Sequence, residues 1–91
     1  MELRWTGDAA DDLERITEYL FKHAPNRAAR IVRAIYDAPT ALLTLPNRGR
    51  LGKKVGTREL VLPSLPYIII YQISGDVIHI LRILHAAQQW P

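Results

Sequence analysis

The hydrophobic periodicity of this chain changes once, at the loop that begins with Pro46, and this change limits the folds open to it. Before the loop, apolar residues recur every three or four positions, which is typical of amphipathic helices. From Thr57 onward, short runs rich in Ile and Val are separated by Gly, Pro and Asp, which is typical of strands and tight turns. The sequence therefore predicts a helical part followed by a sheet.

The first 45 residues predict one short strand and two helices. Residues 2–5 alternate polar and apolar side chains, and Thr6 can cap a helix over about 8–23. The buried stripe of that helix is predicted to contain Ala9, Leu13, Ile16 and Leu20. A second helix is predicted from Pro25 to about 45, because proline suits the first helical turn. Pro39 is expected to kink or break it near 37–39, since proline removes a backbone hydrogen bond.

The rest of the chain predicts a loop and three strands. The loop covers 46–52, and the strands cover 57–62, 67–73 and 77–84, the last two joined by the tight turn Ser74-Gly75-Asp76. The expected fold is α+β with the order β-α-α-β-β-β, in which a two-helix hairpin packs on a small antiparallel sheet. A chain of 91 residues leaves room for one such domain, over 1–91.

Composition excludes several classes of protein. The chain has no cysteine, so a disulfide framework and a thiolate metal site are both excluded. The three histidines lack zinc-site spacing, and we expect no metal and no cofactor. No signal-peptide pattern opens the sequence, and the longest apolar run, Tyr67 to Tyr71, is too short to span a membrane. A cytoplasmic protein without a membrane partner is expected.

The net charge of +3 is unevenly distributed. Residues 1–45 contain six Lys/Arg and seven Asp/Glu, whereas residues 46–91 contain six and two. The excess is concentrated in a basic cluster formed by Arg48, Arg50, Lys53, Lys54 and Arg58. Such a cluster predicts binding to a polyanion or to an acidic partner, and the alternative is a solvated face without a partner.

Two residues near the carboxyl terminus are candidates for chemistry. Strand parity places Arg82 on the same face as the apolar residues Ile78, Ile80 and Leu84. A guanidinium in that setting needs an ion-pair partner, for which Glu59 is a candidate, or a groove that holds an anion. Parity places His85 on the opposite face with Leu81 and Ile83. Arg82 and His85 are therefore not expected to act on one phosphate unless the strand bends.

Several segments together carry a resemblance to a known family. They are Gly56-Thr57-Arg58-Glu59-Leu60, Pro66-Tyr67-Ile68-Ile69-Ile70-Tyr71, Gly75-Asp76 and Ile80-Leu81-Arg82-Ile83-Leu84-His85, with Trp5-Thr6 and the helix that holds Asp12, Leu13, Ile16 and Tyr19. Over essentially its whole length the chain resembles the RelE/ParE superfamily of type II toxins. The predicted order of elements also matches that fold.

Members of this superfamily act on different molecular targets, and sequence features distinguish the RelE-like members from the ParE-like members. RelE-like members, which cut mRNA in the ribosome, place an arginine directly after the aromatic residue that opens the middle strand of the meander. Ile68 occupies that position here, and the preceding RelE lysines fall on Glu59 and Val61. Of the ribonuclease site, Arg82 is retained. An aliphatic residue at 68 and the Arg82 to His85 ending are similar to ParE members, which implies a non-enzymatic poison of DNA gyrase that arrests growth.

Three hypotheses remain open from the sequence. The first is a ParE-like gyrase inhibitor, and the second is a ribosome-dependent mRNA endoribonuclease of the RelE/YafQ type, for which Arg82, His85 and Arg58 are the candidate catalytic residues. The third is a nucleic-acid-binding module that uses the basic cluster. The resemblance also implies a cognate acidic antitoxin that lays apolar side chains into a groove of the toxin. Candidate contacts for it are Ile31, Ile35 and Trp90.

Overall fold

The computed structural model describes residues 1–86 and residue 88. In chain order the elements are β1 (Glu2–Trp5), α1 (Gly7–His23), α2 (Pro25–Asp37), a 3₁₀ helix (Ala38–Leu43), β2 (Arg50–Leu51), β3 (Arg58–Val61), β4 (Tyr67–Ser74) and β5 (Val77–His85). The predicted α+β class is confirmed, and a two-helix hairpin packs on one sheet.

The ends of the helices follow the predicted local chemistry. The Thr6 hydroxyl accepts a hydrogen bond from the Ala9 N–H at 3.2 Å and caps α1. Pro25 begins α2, which ends at Asp37, where the chain tightens into the 3₁₀ helix. This confirms the predicted break beside Pro39. The break lets the chain change direction while Leu42, in the 3₁₀ helix, still reaches the core.

The sheet has the strand order β1-β5-β4-β3-β2. Strands β3, β4 and β5 form the predicted antiparallel meander. Two features differ from the predicted sheet. Strand β1 pairs in parallel with β5, so the sheet is mixed, and residues 50–51, predicted as loop, form a short edge strand against β3. A segment of two residues is too short to show a strand period.

The hydrophobic core lies between the helices and one face of the sheet. From the helical side it contains Ala9, Ile35 and Leu42, all fully buried. From the sheet it contains Tyr67, Ile69, Tyr71, Ile78, Ile80 and Ile83, together with Leu60 and Leu62. None of the helices within residues 1–86 has the length and apolar character of a membrane-spanning helix.

A register shift in β5 changes which side chains face the helices. Ile70 pairs with Arg82, but the next residue of β4, Tyr71, pairs with Ile80, so Leu81 has no partner in β4. A bulge of this kind interrupts the alternation of side chains. As a result Ile83 joins Ile78 and Ile80 in the core. The predicted separation of Ile83 from that face was wrong, because simple parity assumes an unbroken strand.

Candidate functional site

Asp12 joins α1 to β5 through a buried carboxylate. Its side chain is 3% exposed. Arg82 donates from Nε to Oδ2 at 2.7 Å and from Nη2 to Oδ1 at 3.1 Å, and the Ile83 N–H donates to Oδ2 at 2.9 Å. Arg15 also pairs with Oδ1. Since β1 pairs with β5 only as far as Ile80, the edge of β5 beyond that point is open to α1.

This arrangement corrects the predicted partner of Arg82. Glu59 does not reach Arg82 and instead accepts a hydrogen bond from Arg50 at 2.8 Å. The hydrogen bond to Asp12 raises the pKa of Arg82 above its ordinary value, so the guanidinium remains charged and paired. Asp12 lies three residues after Ala9 and four before Ile16, beside the apolar stripe of α1, but spacing alone did not separate it from the acidic residues around it.

A groove of about 750 Å³ opens beside this ion pair, between the helix hairpin and the ends of β4 and β5. Its apolar lining comes from Ile16, Leu20, Ile31, Leu65, Tyr67 and Ile83. Its charged and polar lining includes Arg15, His23 and Arg27, and the carboxylate of Asp12 is already paired. The groove therefore combines an apolar lining with a basic border.

Aromatic contacts shape both walls of the groove. On the helical wall, the rings of Tyr19 and His23 lie 4.4 Å apart between centroids. On the sheet wall, Tyr67 and His85 meet edge to face at 5.8 Å. Burial raises the pKa of Tyr67, and Tyr19 adds to the shift. His85 thus lines the groove together with Ile83, as parity grouped them, but the bulge brings this pair to the face of Ile78 and Ile80. His85 also borders a smaller cavity with Ile68 and Leu84.

The three predicted antitoxin contacts have different positions. Ile31 is half-buried and lines the groove. Ile35 is 0% exposed and belongs to the core, so the structure gives a partner no access to it. Trp90 lies outside the described residues. Helical spacing alone could not separate Ile31 from Ile35, since both lie on the buried side of α2.

Two members of the basic cluster are hydrogen-bonded within the fold. Arg58 donates from Nη1 to the Gly49 carbonyl at 2.7 Å and to the Asn47 carbonyl at 3.2 Å, and Arg50 is paired with Glu59. These two side chains hold the 46–52 segment against β3. Arg48, Lys53 and Lys54 are exposed, and the Arg50 side chain is also 62% exposed despite its pairing.

The described side chains do not form a group suited to binding a metal ion. Across residues 1–86 and 88, no three His, Asp or Glu side chains come together in a way that could hold a metal ion. The arrangement offers instead a groove suited to a peptide segment and a separate exposed basic surface.

The chain is similar to proteins named as toxins over nearly its whole length. The family model described as the ParE toxin of the type II toxin–antitoxin system parDE matches residues 3–90. Toxin Y4kP of Sinorhizobium fredii is 49% identical over 89 residues, which covers 98% of this chain and 92% of that protein. Toxin RelE2 of Caulobacter vibrioides is 38% identical over 84 residues, which covers 92% of this chain and 93% of that protein.

A solved structure shows the same fold. A chain from the chromosomal ParDE toxin–antitoxin system of P. aeruginosa matches with a TM-score of 0.86 and 32% sequence identity, covering 93% of this chain and 95% of that one. Fold, family model and relatives agree, and the chain belongs to the ParE toxin family of type II toxin–antitoxin systems, within the RelE/ParE superfamily.

Proposed function

We propose that this toxin is a ParE-like inhibitor of DNA gyrase that arrests growth by binding the enzyme and is neutralised by a cognate antitoxin. The observation that carries the proposal is the pairing of Arg82 with buried Asp12. A guanidinium that stabilises a cleaving phosphate must present its N–H groups to the substrate. In this chain Nε and Nη2 of Arg82 are bound to a carboxylate that is 3% exposed. Arg82 therefore serves as a link between α1 and β5.

The other candidate catalytic positions support the same conclusion. The Arg58 guanidinium is bound to backbone carbonyls of the 46–52 segment, and position 68, directly after Tyr67, is isoleucine. Arg82 and Arg58 are thus used in the fold, and position 68 supplies no cation. A toxin with these side chains is suited to act by binding its target.

The groove supports neutralisation by an antitoxin. Its apolar lining can receive the apolar side chains of an amphipathic segment, and its basic border favours acidic side chains on either side of them. The similarity to a toxin from a ParDE system is consistent with such a partner. Antitoxin binding would cover Ile31 and Tyr19.

The proposal is tested by inducing the chain in bacteria and measuring DNA synthesis and protein synthesis within minutes. We expect DNA synthesis to fall first, with filamentation and a DNA-damage response. Purified chain should inhibit supercoiling by purified gyrase and increase the amount of cleaved DNA. Relaxation of the same plasmid by topoisomerase I is the control, and it should be unaffected.

Two outcomes would contradict the proposal. An immediate stop of protein synthesis, with mRNA cut on translating ribosomes, would establish the endoribonuclease in its place. Equal inhibition of gyrase and topoisomerase I would show that the chain acts by coating DNA, with a steep dependence on salt.

A further inference from the structure

The hairpin of β2 and β3 displays apolar side chains where a fold gains nothing from them. Val55 is 98% exposed and Leu51 is 78% exposed, the highest values among the exposed large apolar side chains of the described residues. The exposed cations Arg48, Lys53 and Lys54 lie close to them in sequence, and Arg50, also exposed, is paired with Glu59. We use the term basic tip for the surface formed by Arg48, Leu51, Lys53, Lys54 and Val55.

Backbone hydrogen bonds hold the basic tip in one shape. The Gly52 N–H donates to the Thr57 carbonyl at 2.8 Å, and the Thr57 N–H and hydroxyl donate to the Lys54 carbonyl at 3.1 and 2.5 Å. Below the tip, Arg50 is paired with Glu59, and Arg58 bridges two loop carbonyls. A segment fixed in this way loses little conformational freedom when it binds a partner.

Glycine is required at two positions of this turn. A Cβ at Gly52 would lie 2.3 Å from the Thr57 hydroxyl oxygen, and Gly56 has a φ of +84°, which other residues rarely adopt. The chain therefore specifies the path of the turn, and it leaves the side chains of Leu51 and Val55 largely exposed beside the cations.

The basic tip and the groove lie before and after β3 in the chain, although Lys53 borders a smaller cavity with His85 and Gln88, two residues of the groove. The tip precedes β3, whereas Leu65 and Tyr67, which line the groove, follow it. A segment bound in the groove and a partner bound at the tip would thus contact different residues. The proposed binding of an antitoxin in the groove therefore gives the basic tip no role.

The chemistry of the tip favours a protein partner with an acidic surface. Residues 46–58 contain the five cations of the basic cluster and no Asp or Glu, so the local field is positive throughout. Phosphates alone would be matched by the cations and would give Val55 and Leu51 no role. A protein surface that combines carboxylates with a small apolar depression matches both features.

We infer that the basic tip is the surface through which this toxin docks on an acidic, partly apolar surface of its protein target. Val55 and Leu51 supply the apolar contact, and Arg48, Lys53 and Lys54 supply the attraction and the orientation. The identification of that target as gyrase rests on the function proposed above.

The test uses the full chain with Val55→Asp and, separately, with Lys53→Glu and Lys54→Glu combined. Phe21→Asp and Arg30→Glu are the matched controls, because both residues are exposed on the helix hairpin, away from the tip. Folding of every variant is checked by circular dichroism and thermal melting. Binding to immobilised purified gyrase and toxicity after induction are then measured. We expect both tip variants to lose affinity by roughly tenfold or more, with toxicity reduced and the controls close to wild type.

The outcomes separate this inference from the gyrase proposal. Tip variants that stay fully toxic and bind gyrase normally would overturn the inference while gyrase remained the target. If the wild type stops protein synthesis first and the tip variants lose that toxicity, the tip is confirmed as the docking surface and gyrase is excluded. If the wild type binds duplex DNA without gyrase, and the lysine variant loses that binding while Val55→Asp keeps it, the tip is a nucleic-acid surface and the inference is overturned.

Discussion

Asp12 shows how much of this fold depends on one side chain. Replacement by alanine would leave the partly buried Arg82 guanidinium and the Ile83 N–H without their carboxylate. We expect Asp12→Ala to lower the free energy of unfolding by about 2–4 kcal/mol. Urea denaturation measures this loss.

Arg15→Ala is the matched control for Asp12. Arg15 pairs with the same carboxylate, but its side chain is 66% exposed, so solvent screens the interaction. We expect a loss below about 1 kcal/mol. Equal losses for the two variants would show that the link between α1 and β5 does not depend on burial.

Tyr67 predicts a dependence of stability on alkaline pH. Burial raises its pKa above the ordinary value of 10.0, so the folded chain holds the phenol proton more tightly than the unfolded chain does. The resulting stabilisation is complete below pH 10 and is lost as the pH rises through the pKa of the folded state. Absorbance at 295 nm should show a late-titrating tyrosine that Tyr67→Phe removes. A titration curve unchanged by this substitution would assign the late component elsewhere.

Sequence reasoning recognised Arg82 as unusual but could not identify its partner. The residue was conspicuous because a guanidinium follows a run of apolar strand residues. Asp12 was hidden because it lies among Asp8, Asp11 and Glu14, where acidic residues are expected near a helix N-terminus. Which of these carboxylates is buried depends on the rotation of α1 over β5, and local sequence does not fix that rotation.

At the scale of elements, the 46–52 segment is held by a tight contact with β4. The Tyr71 hydroxyl donates to the Pro46 carbonyl at 2.7 Å and accepts from the Gly49 N–H at 2.9 Å. A Cβ at Gly49 would lie 2.7 Å from two atoms of the Tyr71 ring and hydroxyl. We expect Gly49→Ala to destabilise the protein by about 1–3 kcal/mol, measured by thermal melting.

Gly7→Ala provides the comparison for Gly49. Gly7 begins α1, and a Cβ there would meet nothing within 4 Å. This substitution should be neutral or stabilise by up to about 1 kcal/mol, since alanine favours the helix. A destabilisation as large as that of Gly49→Ala would indicate that the space around Tyr71 is not what limits position 49.

The helices and the long strands could be predicted because periodicity and capping act within a few neighbouring residues. Thr6, Pro25 and Pro39 each mark a boundary by local backbone chemistry. The pairing of β1 with β5 and the bulge at Leu81 could not be predicted in the same way. Both are properties of contacts between segments that are distant in sequence, and the bulge reversed the assignment of His85.

At the scale of the whole molecule, the groove predicts how charge should affect antitoxin binding. Tyr19 lies in the groove and is 60% exposed, so Tyr19→Asp should leave folding intact. An added carboxylate there would repel an acidic segment, and we expect affinity for the cognate antitoxin to fall roughly tenfold, or about 1.4 kcal/mol. Isothermal titration calorimetry measures the change.

Two further variants check the location and the sign of this effect. Tyr36→Asp alters a tyrosine of similar exposure, 55%, that lies outside the groove and stacks on Trp5. It should bind the antitoxin nearly as tightly as wild type. Tyr19→Arg should be tolerated better than Tyr19→Asp, and the reverse order would contradict an acidic partner.

The family could be identified from the sequence because its motifs extend over the whole chain. Which cations of the basic cluster are hydrogen-bonded within the fold could not be predicted. The basic cluster contains five residues of one charge sign, of which Arg58 is bound to backbone carbonyls and Arg50, although 62% exposed, is paired with the Glu59 carboxylate. Net charge alone cannot distinguish a cation that braces a loop from one that faces solvent. The exposed remainder is what makes the basic tip a specific hypothesis.

The parallel pairing of β1 with β5 affects how the toxin is made. Residues 2–5 are translated well before their partners, residues 77–80. Loop closure over that distance must wait for β5, which also supplies Arg82 and one of the two strands of the ladder with β4. A nascent chain that has not yet reached β5 therefore lacks its completed sheet, and so does a chain terminated before residue 77.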